Sequence, residues 1–130
     1  MVNDPIGDMI IQMKNGSLVG RKLIMLPYSK EKERVAHILK REGYLALVEV
    51  CQKNPKKQLK LTLAYKESVP VLTDVRRRSK PGIRMYIKKT EIPTVLGGVG
   101  VAVLSTPEGI MTGAEAKKRG IGGELLFEIW

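Results

Sequence analysis

Hydrophobic positions change their period along this chain, and the changes outline its elements. Asp4-Pro5 reads as a helix start, with an oxygen to cap and a proline at the first helical position. Ile6, Met9, Ile10 and Met13 then recur at helical spacing, and Gly16 is expected to end the run. A short strand, LIML over 23–26, leads to Ser29. This serine caps a second predicted helix with Val35, Ile38 and Leu39 turned inward and Gly43 at its close. Next come YLALVEVC (44–51), a loop QKNPKKQ (52–58) and LKLTLAY (59–65). In the last of these Leu59, Leu61, Leu63 and Tyr65 alternate with Lys60, Thr62 and Ala64, which predicts a hairpin with one buried face.

The second half is mainly strand: VLTDVRRR (71–78), IRMYIKK (83–89) and VGVAVLST (99–106). Between the first two, Pro81 and Gly82 of SKPG suit the central positions of a type II turn. Ile83, Met85 and Ile87 are expected to face a core, leaving Arg84, Tyr86 and Lys88 on the opposite face. Thr112 with Glu115 three residues later is a capping-box pattern for a short helix that Gly120 stops, with Lys117, Lys118 and Arg119 at its negative end. ELLFEIW closes the chain, with Leu125, Phe127 and Ile129 expected on one face. The pattern predicts an α+β protein of two small lobes, an N-terminal α-β-α-β-β two-layer lobe over 1–68 and a mainly β lobe with one short helix over 69–130. Val69-Pro70 marks the boundary.

Charge changes the picture more than composition does. The 130 residues carry 23 Lys+Arg against 13 Asp+Glu, a net charge of +10, of which +6 lies in residues 1–70 and +4 in 71–130. An excess spread over both halves points to a polyanionic partner, because each neutralised phosphate releases counterions. A single cysteine, Cys51, excludes an internal disulfide. With no basic leader ahead of Asp4 and Asp8, and no uncharged run of about 20 residues, a soluble protein of a reducing compartment is expected, with no membrane partner.

Catalytic and cofactor chemistry finds little footing. The glycines at 97, 98 and 100 and at 120, 122 and 123 complete neither G-x-G-x-x-G nor a P-loop. On a regular strand Gly98, Gly100 and Ala102 would form a smooth face open to a helix of the same protein or to a ligand. His37 is the only histidine, beside Val35 and Ile38 on the second helix, and reads as structural. The scattered carboxylates form no metal-binding cluster. No enzyme, no metal, no cofactor and no small-molecule substrate are expected.

Polyanion binding has positive signals. Between Asp74 and Glu91 lie Arg76, Arg77, Arg78, Lys80, Arg84, Lys88 and Lys89 without an acid among them. Arg84, Tyr86 and Lys88 in a row can serve phosphates and stack on a base or sugar. The hydroxyls of Ser105 and Thr106 donate and accept, as contacts to 2′-OH groups and base edges require. Lys53, Lys56, Lys57 and Lys60 cluster around the first hairpin loop, either as solvated lysines or as a second phosphate contact. Lys30 and Asn15 complete the candidate set.

NDPIGDMIIQMKNG (3–16), SKPGIRMY (79–86), IPTVLGGVGVAVLSTPEGIMT (92–112) and EAKKRGIGGELLFEIW (115–130) together resemble the bacterial-type small-subunit ribosomal protein eight family, nearly end to end. The resemblance implies a two-lobed protein that binds the central domain of small-subunit ribosomal RNA, at an irregular hairpin, early in assembly. It implies neighbours among small-subunit proteins, five and twelve in particular, and residence in the cytoplasm, or in a stroma or matrix if organelle-encoded. In some members it also implies repression of the protein's own operon messenger. Carried over by motif, the RNA contacts are Ser105, Thr106 and Pro107 at the tip of a recognition loop, Tyr86 in the basic strand, and Gly122, Gly123 and Glu124 beside the last strand. Two departures stand out. Pro107 and Glu108 replace the Ser and Lys common in the family, so one hydroxyl and one cation are missing. Arg78 stands where an aliphatic residue is usual: either its stem covers the core and its head reaches phosphate, or the hairpin face differs locally.

Overall fold

The computed structural model describes residues 4–53 and 56–130, with the backbone alone at Lys53. The chain divides into two compact units. One is Asp8–Thr73; the other is Asp74–Trp130 together with Asp4–Gly7.

Helix α1 (Pro5–Leu18), which belongs to the first unit from Asp8 onward, is followed there by strand β1 (Leu23–Pro27), helix α2 (Lys30–Arg41), strands β2 (Leu45–Lys53) and β3 (Lys56–Leu63), and a two-residue ribbon of β4 (Tyr65–Lys66) with β5 (Val69–Pro70). The sheet is antiparallel in the order β1-β3-β2. Its inner face buries Ile24, Leu26, Leu59, Leu61 and Leu63, and the helices contribute Met9, Ile10, Met13, Val35, Ile38 and Leu39 to the same core. Each such side chain withdrawn from water stabilises the fold by roughly 1.5–3 kcal/mol before entropy is counted.

Both helix starts form as the sequence predicts. The Gly7 N–H donates to Asp4 Oδ1 at 3.3 Å, and the Lys32 N–H to Ser29 Oγ at 3.1 Å. Gly16 does not stop α1, which runs on to Leu18 before Gly20 takes the left-handed conformation at φ +74°. The glycine serves packing instead. A Cβ there would meet Ile24 Cδ1 at 3.3 Å and Leu63 Cδ1 at 3.4 Å. The expected loop 52–58 is also mostly strand: Cys51, Gln52 and Lys53 pair with Gln58, Lys57 and Lys56. Lysine stems tolerate an exposed strand end, so polarity alone misplaced the turn; Asn54 and Pro55 lie outside the described residues. Tyr65 falls outside β3, in the ribbon.

The second unit carries β6 (Val75–Arg77), β7 (Tyr86–Ile87), a 3-10 turn (Leu96–Gly98), β8 (Val101–Thr106), β9 (Gly109–Thr112), helix α3 (Gly113–Arg119) and β10 (Gly123–Ile129). The sheet runs β6-β10-β8-β9, and β7 pairs with β10 as well. One face buries Ile92, Val95, Ala102, Leu104, Met111, Ala116 and Leu125, with Met85, Ile87, Ile121 and Trp130 packed around them. Helix α3 is held by the full capping box, Thr112 with Glu115, and ends on Gly120 at φ +68°.

Three expectations change here. Leu125 and Phe127 do not share a face: a bulge between them pairs Leu125 with Leu104 but Phe127 with Val103, and adjacent positions of β8 point oppositely. The Leu126 carbonyl at the bulge accepts the N–H groups of Arg78 (3.1 Å) and Ser79 (3.3 Å). Ile83 is 72% exposed, since it closes the SKPG turn against Lys80 and precedes the two-residue β7. The glycine face of 98, 100 and 102 does not exist, because Gly98 belongs to the 3-10 turn. At Gly100 the close neighbours belong to the protein itself: an added Cβ would meet Val95 Cγ1 at 2.5 Å and the Ile129 carbonyl at 2.7 Å.

Candidate nucleic-acid interface

Strands β7, β10 and β8 lie side by side, and their register places Tyr86, Glu124 and Ser105 in one rank across the sheet. Cross-strand partners share a face. The rank therefore presents an aromatic ring, a carboxylate and a hydroxyl in succession. Around it lies a cleft of about 470 Å³ lined by Tyr86, Ile87, Ser105, Thr106, Pro107, Gly122, Gly123 and Glu124.

Two glycines make the cleft possible. A Cβ on Gly123 would stand 2.3 Å from the Ser105 carbonyl oxygen, and one on Gly122 would stand 2.3 Å from that of Ile87. No larger residue fits without separating the strands, so backbone passes against backbone and the floor stays flat.

The two hydroxyls divide their work. Thr106 Oγ1 donates to the Gly109 carbonyl at 2.7 Å and accepts the Glu108 N–H at 3.1 Å, which ties the turn between β8 and β9. Ser105 sits in β8 between Ile110 and Glu124, not at a loop tip; the tip is Pro107-Glu108. Its hydroxyl has no partner among the described residues. One hydroxyl holds the site, and the other is available to a ligand.

Tyr86 is 73% exposed. Glu124 is fixed: its Oε2 accepts from the hydroxyl of buried Ser79 and from Arg84 Nη1 at 3.3 Å. Sequence reasoning passed over Ser79, because the Pro-Gly turn it opens explains a serine there without further purpose. Arg84, Lys80 and Lys88 are exposed in the same unit. Arg77 is committed inside the protein, its guanidinium gripping both oxygens of Asp4 and donating from Nε to the Ser79 carbonyl at 2.9 Å. The hydrogen bond from Arg77 holds the Asp4 carboxyl below its ordinary range, against the opposing effect of burial. The head of Arg78 likewise turns to Glu128 instead of outward. At the rim, Glu108 Oε1 pairs with Arg119 Nη1 at 3.3 Å, a contact absent from the sequence expectations.

The remaining candidates belong to the first unit. Asn15 is exposed on α1, Lys30 opens α2, and Lys56 and Lys57 are exposed at the start of β3. The Lys57 ammonium stands 4.9 Å from the centre of the Tyr28 ring. His37 faces Glu33 at 3.3 Å on the exposed side of α2, not the apolar core. Among the described residues no His, Cys, Asp or Glu side chains gather as metal ligands would, and no helix is long and apolar enough to cross a membrane.

This basic chain, with its ranked and glycine-floored cleft, is similar along its length to ribosomal proteins. The family model described as Ribosomal protein S8 matches residues 4–130. The chain is 50% identical over 129 residues to the small ribosomal subunit protein uS8 of Dictyoglomus thermophilum, covering 99% of this chain and 98% of that one. It is 43% identical over 131 residues to the protein of the same name in Dehalococcoides mccartyi, with both chains fully covered. The chain belongs to the ribosomal protein S8 family, which is not an enzyme family.

Proposed function

We propose that this protein is a structural constituent of the small ribosomal subunit, in the cytoplasm, that binds the central domain of the subunit's RNA and helps assemble it. The observation that carries the reading is convergence. Residues 86, 105–107 and 122–124, far apart in sequence, line a single cleft. The cleft's chemistry suits folded RNA. Tyr86 offers a face for stacking, Ser105 a free hydroxyl for a 2′-OH or base edge, and Glu124 an acceptor for N–H or O–H donors. Arg84, Lys80 and Lys88, with Lys30, Lys56, Lys57 and Asn15 of the other unit, supply backbone contacts that position without specifying. Small-subunit proteins five and twelve are the neighbours the family resemblance carries. A messenger hairpin of the same shape would enter the same cleft, which is the physical basis for repression of the protein's own operon.

Binding of a central-domain hairpin transcript, compared with a scrambled duplex of equal length, tests the reading. Ser105→Ala should weaken the hairpin alone by about 1 kcal/mol, roughly fivefold, the worth of one net hydrogen bond. Lys56→Ala with Lys57→Ala should instead flatten the salt dependence for both RNAs. Equal losses on both RNAs from Ser105→Ala would remove the cleft from recognition.

A further inference from the structure

We propose that Ser79 is a positioning residue that fixes which oxygen of Glu124 reads the ligand. This rests on the reading of the cleft given above. Ser79 is only 3% exposed, and its hydroxyl has two partners: it accepts the Met85 N–H at 3.2 Å and donates to Glu124 Oε2. Arg84 Nη1 reaches the same oxygen. Among the described residues no donor meets Oε1.

The consequence is directional. A carboxylate in a site for a polyanion repels phosphate, so Glu124 contributes by accepting from N–H or O–H donors on the ligand. Left to rotate, it would accept from many directions and distinguish little. With Oε2 occupied by Ser79 and Arg84, Oε1 becomes an acceptor of set direction in the rank between the Tyr86 ring and the Ser105 hydroxyl. The Met85 contact also sets the backbone immediately before Tyr86, so one buried hydroxyl places two members of the rank.

A glutamine substitution reports on this orientation. In Glu124→Gln, donors at Ser79 and Arg84 would hold the amide oxygen, and the NH₂ would face the cleft, where it opposes the ligand's own donors. Glu124→Gln should therefore lose at least as much hairpin affinity as Glu124→Ala, about tenfold for a charge-assisted hydrogen bond. Binding to the scrambled duplex should not fall in either variant, because removing the carboxylate's charge removes a repulsion of phosphate. In a Ser79→Ala background, Glu124→Gln should gain about threefold relative to Glu124→Ala, because the amide is then freer to turn, while any loosening at Met85 and Tyr86 is common to both variants.

The proposal is overturned if Glu124→Gln keeps near-native hairpin affinity while Glu124→Ala loses it, since the amide then rotates freely. It is equally overturned if both Glu124 variants bind like the native protein. The comparison of the two Glu124 variants needs no change at Ser79, so a Ser79→Ala protein that fails to fold does not block the test. Tyr86→Ala and Ser105→Ala run alongside. If they too leave hairpin binding unchanged, the reading of the cleft falls and takes this proposal with it; if they weaken it, only the positioning role is at stake.

Discussion

At Gly123 a single hydrogen in place of a methyl decides whether β8 and β10 can meet. The position at which a Cβ would lie is 2.3 Å from a backbone carbonyl oxygen, which, unlike a flexible side-chain end, cannot swing aside. Gly123→Ala is expected to destabilise the protein by about 1–3 kcal/mol, the range for overpacking, read as a fall in the urea midpoint with unchanged slope. Ser105→Ala, at the very residue whose carbonyl makes that contact, should leave the midpoint alone, because its hydroxyl has no partner among the described residues to lose. The contrast separates a residue that makes the cleft from one that uses it. Neither role is visible in the letters GG and ST. Hydroxyls next to a strand end suggest exposure, yet only the turn geometry assigns Thr106 to the turn and leaves Ser105 to a ligand.

At the scale of elements, the β8–β9 turn and α3 act together at the rim. Glu108 on the turn and Arg119 at the end of α3 form an exposed ion pair, and such pairs contribute little to stability. Their larger effect is on the field: the acid lowers the pull of the rim on phosphate and occupies a nearby cation. Glu108→Lys should raise affinity for hairpin and scrambled duplex alike, and steepen log affinity against log salt by about one unit if one more phosphate is engaged. Thermal stability should change little. An unchanged slope with raised affinity would show that Glu108 acts through loop shape and not charge. Helix starts, and the stop of α3, were legible at this scale, since Ser29, Thr112 and Gly120 act through their nearest neighbours along the chain, whereas the stop of α1 was not, because Gly16 serves packing. Strand extents were less so. The 71–78 and 83–89 runs reduce to Val75–Arg77 and Tyr86–Ile87, because each pairs only where β10 passes beside it.

For the whole molecule, net charge favours polyanions while internal ion pairs decide how the fold responds to acid. Asp4 titrates below its ordinary value because Arg77 hydrogen-bonds its charged form. A carboxylate with a depressed folded pKa contributes stability that is fully present above its unfolded value, about pH 4, and that is lost as pH falls through the folded value. Asp4→Asn should lower stability at neutral pH and flatten its decline below about pH 4, measured by urea unfolding across the acid range. An acid limb identical to that of the native protein would show that Arg77 gives Asp4 no net preference for the charged state.

Within the sequence alone, local capping, the period of apolar positions and motif suffice for the helix starts, the alternating hairpin, the basic character and the cleft residues other than Ile87, which the pattern assigns to the core. Only the tertiary structure decided that a bulge at Leu126 turns Phe127 away from Leu125, that Arg77 and Arg78 face inward to acids distant in sequence, and that Ser79 holds Glu124. The bulge depends on strand register, and the three side-chain contacts on partners 45 or more residues apart. Register is settled by how all the strands pack at once, and no stretch of the chain contains that information alone.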